Sequence, residues 1–339
     1  MADLLAALLL TALSVLAAVV PAVAYSLVIW WVDRYEKEPW RLLTAAFVWG
    51  AIPAIFVSLI AEGLLSIPIS PLLGEAAGQF IAGSGVAPVV EELAKGCVVF
   101  LIFLIYRQEF DGPLDGIVYG ALVGFGFGMT ENIFYFVGGF LEGGAAGWVA
   151  VVLFRTTVFG LNHGLFSSIT GLGLGYASAT SSARRQWLVP PLALGGAIVA
   201  HAVHNTFTGL AGRSCWPVAI SALSDWGGVL TIVVIIVLAW DREKRLIVQE
   251  LRDEIEKGIL GQSEYETVAS YWRRIGAQWQ ALSKYGFRQA LMLRKLHQLT
   301  TELAFQKHRL RRLGGMDERE AEISRLRQAI RALRGRLAR

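Results

Sequence analysis

Seven stretches of this 339-residue chain, at 4–32, 41–65, 88–106, 114–137, 148–177, 188–210 and 218–240, run for about 20 residues or more with few charges. The hydrocarbon core of a bilayer leaves no water to bond with the backbone, so only helices and closed barrels cross it, and runs of this length mean helices. The expected fold is therefore all-α: a polytopic membrane helix bundle of about seven transmembrane helices. Composition agrees, with 55% hydrophobic residues and a mean hydropathy of +0.51. The first stretch follows Asp3 rather than a basic segment and is too long for a signal peptide, which predicts a retained span.

Charge divides the chain in two. Residues 1–240 carry 9 Lys+Arg and 14 Asp+Glu, and residues 241–339 carry 22 and 13, a net of −5 against +9. We expect a transmembrane domain over 1–240 and a basic, water-soluble helical tail over 241–339. The tail should break near Gly258–Gly261, Gly286 and Gly314-Gly315 and form a hairpin or short coiled coil. Its surplus of Arg suits anionic lipid headgroups, a cytoplasmic protein or plain solvation; no nucleic-acid partner is expected. Cys97 and Cys215 make no disulfide framework and no zinc spacing.

Basic residues orient the spans. With the tail in the cytoplasm, seven spans leave the N-terminus outside. Arg34, Lys37, Arg41, Arg107, Arg184 and Arg185 then fall in cytoplasmic loops, and Arg213 alone falls in an outer one. The segment 66–86 holds prolines, glycines and small residues, and reads as an interfacial loop or re-entrant piece.

Against this apolar background a few polar residues stand out. Each charge at mid-bilayer costs roughly 2.5–3.5 kcal/mol on insertion scales, yet 88–106 holds Glu91-Glu92-Leu-Ala-Lys95. Glu131, Arg155, His163, His201 and His204 lie in other apolar stretches. Groups like these face one another inside a bundle, and we expect one buried polar site. On a helix Lys95 reaches either carboxylate. Pairing explains one of the two and leaves the other as a candidate general base. His201, His204 and Asn205 share a helical face, which fits either a metal or hydrogen bonding between helices. His163 shares a face with Thr156 and Ser167. Arg155 lies about 80° away, placed to orient or neutralise a carboxylate. At about 1.5 Å of rise per residue, Glu131 and His201 sit at similar depth, whereas His163 lies too deep unless its helix starts late, tilts or breaks. Gly120, Gly124 and Gly128, four apart, form a helix-packing surface.

Known hydrolase signatures narrow the field. There is no H-E-x-x-H, no G-x-S-x-G and no G-x-G-D; Pro113-Leu-Asp115-Gly alone makes no zinc protease. What remains is a double Glu, a Glu-Asn, a His and a His-x-x-x-Asn spread over four spans.

Glu91-Glu92-Leu-Ala-Lys95, Asp115-Gly-Ile-Val-Tyr-Gly, Gly126-Phe-Gly-Met-Thr-Glu131-Asn132, His163-Gly-Leu-Phe-Ser and His201-Ala-Val-His-Asn205 resemble the PrsW family. The charged loop Asp33-Arg-Tyr-Glu-Lys-Glu-Pro39 fits as well. These are membrane-embedded proteases, more distantly similar to the CAAX-prenyl protease and bacteriocin-processing superfamily. The resemblance covers roughly residues 25–210 and leaves the tail outside. It implies an intramembrane endopeptidase of the cell membrane acting on a membrane-protein substrate, of which an anti-sigma factor is the type. It further implies Glu91 or Glu92 as the base that activates a water. Glu131, His163, His201 and Asn205 would hold a divalent metal, zinc being favoured, or polarise the scissile carbonyl, with Lys95 and Arg155 as charged partners. Two other classes stay open: an ion- or proton-coupled transporter or channel using the same buried residues, and a scaffold whose tail recruits a partner.

Overall fold

The structure is a computed structural model and describes residues 2–35, 37–211, 214–313 and 317–337. Among them there is no β-strand. The chain divides into two compact units, one of residues 1–33 and 38–236, the other of residues 34–37 and 237–339.

In the first unit, α1 (Ala2–Val32) is followed by α2 (Trp40–Trp49), which runs through a π-helical turn at Gly50–Ala54 into α3 (Ile55–Ser66). Pro53, expected to kink this span, sits inside that turn. A proline has no N–H to give to the helix ladder, and a single wide turn accommodates the loss. Of the two readings of the segment 66–86, an interfacial loop or a re-entrant piece, the loop is not what forms. The segment contains α4 (Ile69–Leu73), α5 (Glu75–Ile81) and a second π-helical turn, Ala82–Val86, that leads directly into α6 (Ala87–Ile105). Its alanines and apolar residues are helix formers, interrupted by a turn at Ile67-Pro68 and by Gly74, at φ 82°.

Next come α7 (Pro113–Leu153), a π-helical turn at Phe154–Val158, α8 (Asn162–Ala179) and α9 (Ala183–Gly209); α10 (Trp216–Glu256) contains the boundary between the units. Within α7 the helix is broken at Gly143 and Gly144, the latter at φ 58° and ψ −151°. The two arms approach so closely that a Cβ on Gly147 would lie 2.3 Å from the Gly139 carbonyl oxygen.

Five helical segments among the described residues are long and apolar enough to cross a membrane: Leu5–Val32, Trp40–Leu73, Pro113–Ala179, Ala183–Gly209 and Trp216–Glu256. The third is 67 residues long and holds the expected spans 114–137 and 148–177. Helix α6 falls outside the five although it is 19 residues long, because Glu91, Glu92 and Lys95 lie in it. Each of the seven expected stretches is thus helical for most of its length, 148–177 in two pieces. Polarity is inverted as a bilayer requires: Leu9, Phe56, Leu104, Leu192 and Leu238 are exposed, while Glu92, Lys95, His163 and His201 are buried.

Helix α7 lies at the centre, and its glycines permit this. A Cβ on Gly116 would stand 1.9 Å from the Gly171 carbonyl oxygen, one on Gly120 2.3 Å from that of Ser167, and one on Gly124 2.1 Å from that of His163. On another face Gly126 meets the Phe47 carbonyl at 2.0 Å by the same measure. The expected glycine surface therefore holds α8 against α7 backbone to backbone, and fixes the height of His163. Gly124→Ala is expected to abolish folded protein, judged by the monodisperse fraction after detergent extraction. Gly138→Ala, which meets only open space, should leave it intact.

The second unit is a helical domain with its own core, more than a hairpin. Helix α10 continues into it, followed by α11 (Gln262–Val268), α12 (Tyr271–Tyr285), α13 (Phe287–Leu313) and α14 (Asp317–Leu337). Ile247, Leu251, Leu296, Leu303, Leu326 and Ile330 meet in the core, and Tyr35 joins them. Gly258 and Gly286, at φ 67° and 83°, end helices as expected. Glu254, fully buried, takes a bidentate bond from Arg327 and a 2.7 Å bond from Lys307. Burial pushes the imidazole of His297 down to about 3, with the Arg274 cation adding to the effect. Arg213 and the Gly314-Gly315 break lie outside the described residues.

Candidate active site

Helix α6 puts Glu91, Glu92 and Lys95 on one interior face, as their spacing requires. Lys95 Nζ is 2.6 Å from Glu92 Oε1 and 3.5 Å from Glu91 Oε2, and none of its surface is exposed. Glu92 is saturated. It also accepts from His201 Nδ1 at 2.9 Å and from the Ser167 hydroxyl at 3.4 Å, with no exposed surface. Glu91 differs: its Oε1 has no hydrogen-bond partner among the described residues, and the residue keeps 5% exposure. The informative second carboxylate of the sequence is therefore Glu91.

His163 is reached through a break. The span 148–177 is not one helix; the chain leaves the π-helical turn after Val158, and α8 starts afresh at Asn162. Carbonyls freed there are met from elsewhere. The Tyr25 hydroxyl donates to Thr156 O, and Trp226 Nε1 donates to Val158 O at 3.0 Å. The shared face of His163 and Thr156 thus does not exist. The depth of His163 is explained by its place in the first turn of a new helix.

Lys95 Nζ lies 3.3 Å from His163 Nδ1, and an ammonium can only donate, so Nδ1 accepts and Nε2–H donates to Glu131 Oε2 at 2.8 Å. Arg155 also binds Glu131 through Nη2, bonds Asn132 through Nε and stacks over Tyr135 at 3.8 Å. It neutralises a carboxylate. With Nδ1–H given to Glu92, His201 turns Nε2 towards Glu91 Oε2, 3.8 Å away. Phe166 stacks on the ring at 4.7 Å and holds its plane.

Asn205 stands apart, donating to Gly83 O at 2.9 Å. His204 turns from His201 towards α8 and α10. Its Nε2 takes the Asn162 amide at 3.2 Å, and its Nδ1 faces Asp225 at 2.7 Å and Ser221 at 2.9 Å. Because Ser221 and Asp225 share the same ring nitrogen, this trio is no serine-protease relay, in which they would take opposite nitrogens. Asn162 in turn accepts the His163 backbone N–H at 2.7 Å through its side-chain oxygen.

Sequence reasoning passed over Asp225, Asn162 and Glu62, which is near enough for its charge to act on Glu91 and Glu131. Asp225 and Glu62 are carboxylates inside apolar stretches, so the rule that singled out Glu131 would have found them.

A cavity of about 1180 Å³ reaches this cluster. Glu131, Arg155, Asn162, His163, His204 and Asn205 give it polar ground, and Phe80, Phe154 and Phe159 form apolar wall. It is large enough for several residues of an extended peptide.

The donor set suits a divalent cation on two counts. One donor atom from each of the buried residues Glu91, His163 and His201 lies within 4.8 Å of the others, and two imidazoles with a carboxylate are a catalytic zinc donor set. Secondly, Glu91, Glu92 and Glu131 outnumber the cations Lys95 and Arg155, and a divalent cation offsets that buried excess. Glu92 on His201 and Glu131 on His163 supply the carboxylate–histidine pairing usual behind metal ligands. His163 must exchange one of its two hydrogen bonds to bind.

Residues 38–240 match a family model described as PrsW family intramembrane metalloprotease. The chain is 34% identical to a Protease PrsW of Geobacillus kaustophilus over 178 residues, 51% of this chain and 70% of that one. It is 27% identical to Protease PrsW of Bacillus subtilis over 214 residues, covering 62% and 84%. A Protease PrsW of Oceanobacillus iheyensis is 28% identical over 196 residues, covering 57% and 82%. No solved structure matches the chain.

Proposed function

The chain belongs to the PrsW family of intramembrane metalloproteases, and from that premise we propose that Glu91, His163 and His201 form the centre at which it hydrolyses a peptide bond of a membrane-protein substrate. It is a multi-pass, membrane-embedded protease. The observation that carries the assignment is the convergence of those three buried side chains, of which His163 lines a cavity of peptide size.

Peptide hydrolysis needs a deprotonated water and relief of charge on the carbonyl oxygen. In our reading Glu91 takes the water's proton on its unpartnered oxygen and returns it to the leaving amine. Glu92 is no base: it neutralises Lys95 and fixes His201. Lys95 places positive charge between Glu91 and His163. Arg155 holds Glu131, which orients His163, and Asn205 lines the cavity where the peptide lies. His163 and His201, with Glu91 through its other oxygen, would hold a divalent metal, for which zinc is the choice; when bound it supplies acidity to a water and polarises a carbonyl. A single-span anti-sigma factor is the first substrate to try.

The six-to-one bias of basic residues supports a cytoplasmic second unit. A cysteine replacing Glu142, just before the Gly143-Gly144 break, is expected to react with a membrane-impermeant reagent added outside intact cells. Labelling only after lysis would reverse the orientation.

Metal content tests the centre directly. Wild type purified without chelator is expected to carry an equimolar divalent metal, and His201→Ala to lose both metal and turnover while its melting temperature holds. A metal-free wild type that cleaves in chelator would remove the metal from the assignment.

A further inference from the structure

The charge of the second unit is unevenly spread. From residue 267 to residue 301 there is no carboxylate, and Arg273, Arg274, Lys284, Arg288, Arg294 and Lys295 fall in that interval. All but Arg274 are exposed. The same interval carries the unit's exposed aromatics: Trp272 at 67%, Trp279 at 66%, Tyr285 at 72% and Phe287 at 70%. Trp272 and Trp279, seven apart, lie on one face of α12, with Leu282 to one side and Arg273 and Lys284 to the other. Gly286, at φ 83°, ends that helix, and Tyr285 and Phe287 bracket it at the tip. Phe287 and Leu291 then begin an exposed row on α13, with Arg288 and Lys295 beside it.

A water-soluble surface rarely leaves two tryptophans, a tyrosine and a phenylalanine so exposed within 16 residues of chain. Aromatic rings flanked by Lys and Arg, with acids excluded, match the headgroup layer of an anionic bilayer, where the rings enter the interface and the cations meet phosphate. The unit is joined to membrane-spanning helices through α10, so a bilayer is always within reach. We infer that the α12–α13 tip, from Trp272 to Lys295, docks on the surface of an anionic lipid leaflet. The contact secures the second unit to the membrane by a face that the protease site does not use.

Hydroxyl-radical footprinting of the full chain in lipid nanodiscs reads this residue by residue. In discs of phosphatidylcholine mixed with phosphatidylglycerol, oxidation of Trp272, Trp279, Tyr285 and Phe287 is expected to fall severalfold below its level in phosphatidylcholine alone. Lys284→Glu/Arg288→Glu, which alters only exposed side chains, should abolish the protection. Equal oxidation in both lipids overturns the inference. Protection that ignores lipid charge and survives the double substitution also overturns it, and points to a protein cover such as a second copy.

Discussion

Glu91→Gln is expected to lower the cleavage rate by about 10²–10⁴-fold while leaving expression and melting temperature nearly unchanged. Glutamine keeps the size and removes the charge and basicity. The fold loses little, because the nearest cation, Lys95, is 3.5 Å from Glu91 but 2.6 Å from Glu92 and keeps the closer partner. Steady-state cleavage of a single-span substrate, with a melt of the same sample, separates the two effects. A variant that cleaves at the wild-type rate would remove Glu91 from the chemistry. One that melts much earlier would reduce it to a packing charge.

Glu92→Gln should behave in the opposite way. Lys95 and Glu92 have no exposed side-chain surface, and neutralising Glu92 leaves Lys95 only the longer 3.5 Å pairing with Glu91 in low dielectric, where loss of a buried partner costs up to roughly 3–5 kcal/mol. The single variant is expected to be strongly destabilised in detergent unfolding. Glu92→Gln/Lys95→Met removes both charges and should recover most of that stability. Activity should not return, because His201 has lost the carboxylate on its Nδ1. Equal stability of the single variant and the wild type would contradict the assignment of Glu92 as the lysine's counter-ion.

The site was legible where one helix carries the information. Spacing alone places Lys95 over Glu91 and Glu92, and the four-residue glycine period on α7 marks the face that receives α8. The cost of charge in an apolar run points to Glu131, Arg155, His163, His201 and His204 as neighbours; the structure joins the first four and turns His204 towards Asp225 and Ser221. What stayed hidden depends on remote partners. The break before Asn162 is satisfied by Tyr25 and Trp226, which lie far from it in sequence, so one apolar run concealed two helical pieces. The division of labour we propose for Glu91 and Glu92 rests on which one meets His201 and Ser167 from two other helices. In residues 66–86 the prolines and glycines point to an interfacial loop or a re-entrant piece; the alanines make the segment helical, which removes the loop alone.

The central claim is that this buried cluster adds water to a peptide bond. The most direct measurement is cleavage of a single-span substrate by the purified protein in heavy-oxygen water, with the products weighed by mass spectrometry. The prediction is a single cut whose new carboxyl terminus carries one heavy oxygen, formed by wild type and not by Glu91→Gln. Intact substrate, together with ion or proton flux when the protein is placed in liposomes, would contradict it and assign the same buried residues to transport.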